Sequence, residues 1–270
     1  MLLLEDKIQS LANSIRTGKT TSDKIKITTI WLLRSLQEVS PSQTRKYLDV
    51  IARGKCVETD VRFSIKTLHD FFIFSSLWEK ELEDFFEFRE GMTFLDVGAH
   101  IGKYTLRAAK KIGSKGKVIA IEPDRDSFAF LVRNIKLNKL RNCIPLNVAA
   151  YHADCEVSLF MGPYSAQNSI KEDFQKGSYK VKARALDNVL RELRIRGVDF
   201  VKIDVEGAEL DVLEGLQETL KKQNPVLIIE LMKRDSEKTI NYLADLGYKR
   251  KLLNLYAPFR GGLLYYRFAR

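Results

Sequence analysis

Four acidic residues stand where apolar runs end: Asp96 in TFLDVGAHIG, Glu122 in GKVIAIEPD, Asp204 in VDFVKIDVEGAEL and Glu230 in VLIIEL. Short apolar runs bounded by turn residues read as buried strands. In an α/β sheet, ligands bind just beyond the carboxyl ends of such strands, so these acids should face one crevice. After Asp96 come Gly98 and Gly102, then the helical pattern KYTLRAAKKI. Glycine lets a backbone turn sharply and approach a ligand closely, because no Cβ intervenes.

The spacing excludes two ligand loops. A phosphate-binding P-loop needs GxxxxGK[ST], and a dinucleotide loop needs GxGxxG. Here the glycines are spaced GxxxG, with His100 in the middle. An S-adenosylmethionine (SAM) pocket fits better, since that ligand has no phosphate to cradle and its cationic ammonium suits an acid at the strand end. An ordinary βα turn with a buried glycine has the same local pattern. Glu122 favours the pocket: a carboxylate ending the second strand can accept hydrogen bonds from both ribose hydroxyls.

Composition limits the class. The 270 residues are 45% hydrophobic and 30% charged, which fits a globular chain with a full core. No window approaches 18 consecutive apolar residues, so no transmembrane segment is expected. FFIFSSLW (71–78) is too short, and MLLLEDKIQS turns acidic too soon for a signal peptide. Three cysteines without CxxC spacing argue against disulfides and zinc and for a reducing cytoplasm, with Cys143 a small core residue. The net charge is +10, and residues 1–90 hold 14 basic and 14 acidic side chains, so the whole excess lies in 91–270. It could attract an anionic partner, although scattered surface lysines give the same total.

The elements that would position these residues begin near residue 92. Expected strands are 93–97, 117–121, 143–148, 199–204 and 225–231, and expected helices are 102–112, 125–138, 207–222 and 235–246. This alternation predicts a largely parallel sheet with helices on both faces. Residues 154–188 interrupt it with two further strands, CEVSLFMG and YKVKARAL, around a polar insertion at 162–180. There Tyr164, Gln167, Asn168 and Ser169 could contact a polyol or be ordinary loop residues. The tail predicts a final antiparallel hairpin turning at Gly261 and Gly262. Residues 1–90 read as a mainly helical extension, with helical patterns at 25–36, 44–51 and 79–88 and one or two short strands within 56–67. The organisation expected is therefore this extension followed by one catalytic domain, 91–270.

DVGAHIG, IEPD, LVRNIKLN, NVAA, ALDNVL, KIDVEGAEL and IIEL occur here in an order that resembles FkbM-type SAM-dependent methyltransferases. The resemblance runs from about Phe88 to Leu231. It implies a class I methyltransferase, Rossmann-like α/β fold: a seven-stranded, mostly parallel sheet whose last strand is antiparallel. It also implies O-methylation of a hydroxyl on a sugar, glycan or small metabolite. By position, Asp96, Gly98, His100 and Gly102 would form the loop on the methionine side of SAM. Glu122 would hold the ribose, and Asn147 and Ala149 would lie near the adenine. His100 stands where asparagine is commoner.

A hydroxyl acceptor needs a base within hydrogen-bond reach. Asp204 or Glu206 is the expected base, with Lys202 an electrostatic candidate and His69 and His152 runners-up. Acids in a first helical turn are favoured by the helix dipole, so Glu206 and Glu209 also have a structural reading, with Glu209 expected on the helix surface or in a local salt bridge. Asp204, Glu206 and Glu230 could instead ligate a divalent metal, but nothing demands one and none is assigned. Nucleic-acid methylation is a less favoured alternative, because no NPPY-like motif and no basic patch with interleaved aromatics is present. A non-catalytic SAM-binding protein is another.

Overall fold

The computed structural model describes residues 84–163, 165–234, 236–253 and 263–270, the strand pair 55–58 and 61–64, and Thr21, Ile25, Thr28 and Leu82. The chain divides into two compact units, 1–80 with 136–138, and 81–135 with 139–270. In the first unit, β1 (Lys55–Glu58) and β2 (Val61–Ser64) form an antiparallel hairpin closed by the pair Glu58 and Val61. Val61 and Phe63 alternate onto one face and are both buried. The expected helices at 25–36 and 44–51 lie largely outside the described residues, as do His69, Tyr164 and the turn at Gly261 and Gly262.

The second unit is built on strands β3 (Thr93–Val97), β4 (Lys117–Ile121), β5 (Cys143–Leu146), β9 (Phe200–Ile203), β10 (Val226–Met232), β11 (Lys249–Leu253) and β12 (Leu263–Ala269). Their order across the sheet is β11-β12-β10-β9-β3-β4-β5. The pairs among β10, β9, β3, β4 and β5 are parallel, whereas β12 runs antiparallel to both its neighbours. This is the sheet that the sequence resemblance implied. A second, three-stranded sheet of order β6-β8-β7 joins β6 (Ala149–Ala150), β7 (Cys155–Phe160) and β8 (Ser178–Arg184).

Helices α1 (Lys103–Ile112), α2 (Arg125–Leu137), α3 (Leu186–Glu192), α4 (Glu209–Glu214), α5 (Gln217–Gln223) and α6 (Ser236–Asp245) complete the second unit. Strand alternation divides the core into two. Leu95, Val97, Val201, Ile203, Leu227 and Ile229 pack with residues of α3 to α6. Phe94, Phe200, Ile228 and Tyr265 pack with Tyr104, Ala108, Ala109 and Ile112 of α1. Those α1 residues recur at helical spacing, so one stripe of the helix is apolar and faces the sheet.

Two expected helices differ. Leu82 is helical, but residues 84–90 are turn and irregular chain, where a helix over 79–88 was expected. Phe86 and Phe88 both reach the Phe94 and Phe200 rings, and residues two apart cannot share a face of a helix. The expected helix 207–222 is two helices, α4 and α5, broken at Gly215. A Cβ on Gly215 would lie 2.0 Å from the Tyr151 carbonyl oxygen, and the Gly215 carbonyl accepts from the Asp187 N–H (2.9 Å), so it is spent outside the helix. Among the described residues no helix is long and apolar enough to cross a membrane. Cys143 and Cys155 are free, and burial pushes the Cys143 thiol up to about 12.

Candidate active site

β3 and β9 lie side by side in parallel, with Asp96 opposite Lys202. Their carboxyl ends open into two turns that touch. The Asp204 N–H donates to the Val97 carbonyl (3.1 Å). A Cβ on Gly98 would sit 1.8 Å from the Asp204 carbonyl oxygen, so only glycine allows this approach, and its φ of 78° is also one that L side chains rarely adopt. The loop is then fastened to β4. The N–H groups of Gly98 and Ala99 donate to the Ile121 carbonyl (3.0 and 2.9 Å). The His100 N–H donates to Glu122 Oε2 (2.7 Å).

His100 has a φ of 50°, in the left-handed region. Histidine, asparagine and aspartate are enriched there among non-glycine residues, so a histidine suits this position. Gly102, at a φ of 102°, opens α1.

Asp96 and Glu122 are both buried but are hydrogen bonded differently. Asp96 is 1% exposed. Its Oδ2 accepts from the Thr105 hydroxyl (2.6 Å), while its Oδ1 has no hydrogen-bond partner among the described residues. Burial raises its pKa, against the opposing pull of the Lys202 charge and the Thr105 bond. Glu122 accepts from the N–H groups of His100 and Asp124 (2.7 and 2.9 Å), and burial pushes it up to about 8. A carboxylate offers about four lone-pair sites, so Glu122 retains capacity for a ribose diol. Asn147 joins this edge by donating to the carbonyls of Glu122 and Pro123 (2.8 and 3.0 Å). Ala149 lies two residues on, in β6, and packs with Leu159, Val181 and Ala183.

On the other side, Lys202 is 4% exposed, and its Nζ lies 3.0 Å from Asp204 Oδ2. It also stands 5.3 Å from the centre of the Tyr104 ring. The strand therefore turns this lysine inward to the site and away from solvent. Glu206 has a φ of 54° and precedes α4, so it is not the first-turn acid of a helix. Glu209, expected on the helix surface, is 4% exposed; its Oε1 accepts from the Gly207 N–H (3.0 Å), and burial pushes it up to about 7. Sequence reading missed this role, because an acid in a first helical turn is ordinarily solvated.

Glu230 ends its run on the same face as Lys202 and is hydrogen bonded by the Tyr265 hydroxyl. His152 pairs with Asp211 Oδ1 (3.2 Å), not with Asp204. Among the described residues the group whose metal-ligating atoms converge within 4.8 Å is His152, Asp211 and Glu214, rather than Asp204, Glu206 and Glu230. The Lys171 ammonium already sits on Asp211 (2.8 Å).

A family model, the Methyltransferase FkbM domain, matches residues 96–250, more than half the chain. This chain belongs to that family. Its methyl donor is SAM. The chain is 29% identical over 142 residues to the hexuronic acid methyltransferase AglP of Haloferax volcanii, covering 53% of this chain and 57% of that protein. It is 28% identical over 154 residues to a probable cobalt-precorrin-6B C(15)-methyltransferase (decarboxylating) of Sulfurisphaera tokodaii, covering 52% of this chain and 79% of that one. A solved FkbM methyltransferase from Methylobacillus flagellatus KT has the same fold, with a TM-score of 0.52 at 16% identity; the match covers 97% of this chain and 59% of that one. The chain thus spans little more than half the length of AglP and of this solved FkbM protein.

The site fits the donor that this family uses. Asp96 Oδ1 is an unmatched buried acceptor suited to an ammonium, and Glu122 has lone pairs left for hydroxyls.

Proposed function

We propose that this chain methylates a hydroxyl of a sugar, glycan or small metabolite. The observation that carries the reading is Asp204. Its carboxylate is ion-paired with a buried lysine, and its backbone is bonded to the strand that feeds the glycine loop. An acceptor oxygen placed beside the Asp204 side chain at these strand ends would have a carboxylate next to its proton.

SAM, when bound, supplies a methyl group already activated by a sulfonium. The protein's own work is alignment, exclusion of water and removal of one proton. Asp96, Gly98, His100, Gly102 and Glu122 hold the donor, with Asn147 and Ala149 on the adenine side. Asp204 takes the proton leaving the acceptor oxygen, and Lys202 holds that carboxylate in place. Glu206 is the second acceptor-side carboxylate. Residues 1–90 are an extension to the catalytic domain 91–270, and the protein works in the cytoplasm.

The test is transfer of labelled methyl from SAM to methyl β-glucuronide, methyl β-glucoside, catechol and bulk RNA. Uronates offer both hydroxyl and carboxylate oxygens, and alkali distinguishes the products, because ethers survive it and esters do not. Alkali-stable label on a sugar or catechol supports the reading. Alkali-labile label would move the acceptor to a carboxylate, and label in RNA would overturn it.

A further inference from the structure

The peptide joining Glu206 to Gly207 is held at both ends. At one end, the Ser169 hydroxyl donates to the Glu206 carbonyl (2.7 Å). At the other, the Gly207 N–H donates to Glu209 Oε1 (3.0 Å). The φ angles on either side are 54° and 102°. Glycine populates either sign of φ, so residue 207 does not itself fix the plane of this peptide. The two side chains do.

Both side chains are committed to the task. Ser169 is 1% exposed. A hydroxyl has one donor and two lone pairs. Here the donor goes to Glu206, and both lone pairs accept from the N–H groups of Lys171 and Glu172 (3.0 and 3.1 Å). Nothing is left for a polyol. Ser169 is itself pinned to β7 by two backbone bonds with Phe160 (2.8 and 3.1 Å). The same insertion closes on itself where the Gly162 N–H meets Asn168 Oδ1 (2.9 Å). It has a second hold on α4 through Lys171 and Asp211.

We propose that Ser169 and Glu209 are positioning residues for methyl transfer, clamping the Glu206–Gly207 peptide so that the insertion and the acceptor-side turn keep one geometry. This rests on the reading that Glu206 serves the acceptor. The clamp sets the direction in which the Glu206 side chain leaves the backbone. It also holds Ser169, and with it residues 165–169, beside that turn.

Residue-resolved hydrogen exchange on the full chain tests the clamp without any acceptor. Ser169→Ala and Glu209→Ala should each speed exchange of the Gly207 N–H at least tenfold. Glu209→Gln, which keeps an accepting oxygen, should stay within threefold of wild type. SAM binding, followed by calorimetry on the same proteins, should stay within threefold. With an acceptor from the panel above, kcat should fall at least tenfold for the two alanine variants, while KM for SAM holds. Unchanged Gly207 exchange in both alanine variants overturns the clamp. Faster exchange with unchanged kcat overturns the positioning role. Wild type that fails to bind SAM would sink the methyl-transfer reading, and the exchange result would still decide the clamp.

Discussion

The turns after β3 and β9 are built to a similar backbone plan and held by different means. Each places a charged or ionisable residue in the left-handed region, His100 at 50° and Glu206 at 54°, and has a glycine at 102° after it, two residues on at Gly102 and directly next at Gly207. The β3 turn is held by its neighbouring strand, through the Ile121 carbonyl and the Glu122 carboxylate. The β9 turn is held by side chains: Ser169 from the insertion and Glu209 from α4. A donor shared by a whole family can be met by a loop fixed within its βαβ unit. The β9 turn instead takes its support from a segment outside that unit, so a change in the insertion can move it without disturbing the first loop.

This comparison can be broken at either turn. The largest effect is expected at Asp204. Asp204→Asn should lower kcat about 10²–10⁴-fold while SAM affinity stays within threefold, because a general base is lost and the donor site is not. Equal losses of both would place Asp204 on the donor side. Gly98→Ala should do the reverse. Its Cβ meets the Asp204 carbonyl and its φ is unfavourable, so a stability loss of about 3 kcal/mol and a collapse of SAM binding are expected in denaturation and calorimetry. Glu122→Ala should weaken SAM binding about tenfold or more, because the ribose hydroxyls lose a buried hydrogen-bond partner.

The acid Glu122 also makes a pH prediction. Burial raises it from 4.5 to about 8, so the folded chain holds a proton that the unfolded chain releases. The unfolded state then binds fewer protons, and stability falls as pH rises from about 4.5 to about 8. Glu122→Gln should flatten that fall, raising Tm at pH 8 relative to wild type by at least ~4 °C in calorimetry. A parallel decline in the variant would assign the slope to other groups.

The smallest effect separates stability from function. Glu206→Gly relieves a left-handed non-glycine residue, which costs about 1 kcal/mol or more. The variant should melt about 2 °C higher by scanning calorimetry yet transfer methyl more slowly. A lower Tm would show that Glu206 holds the turn through its side chain.

Much of this was legible beforehand. The five parallel strands fall within a few residues of their expected bounds, because each is a short, mainly apolar run flanked by polar or turn residues. Asp96, Gly98, His100, Gly102 and Glu122 lie close together, since all sit at or just beyond the ends of two adjacent strands. The misreadings have one cause. Helix periodicity over 207–222 does not contain the Tyr151 carbonyl against Gly215, and Glu209 looks like any first-turn acid. For Ser169 the choice between a polyol contact and an ordinary loop residue stayed open, because its three hydrogen-bond partners are invisible in a one-dimensional pattern.

The sequence by itself determined the alternation of elements, the sheet they form and the family, because strand periodicity and glycine-acid spacing are local properties of the chain. Only the tertiary structure decided that Lys202 turns inward to Asp204, that Glu209 is buried, and that an insertion more than thirty residues away grips the Glu206 turn. Those are contacts between segments remote in sequence. They exist only once the sheet has brought the strand ends together.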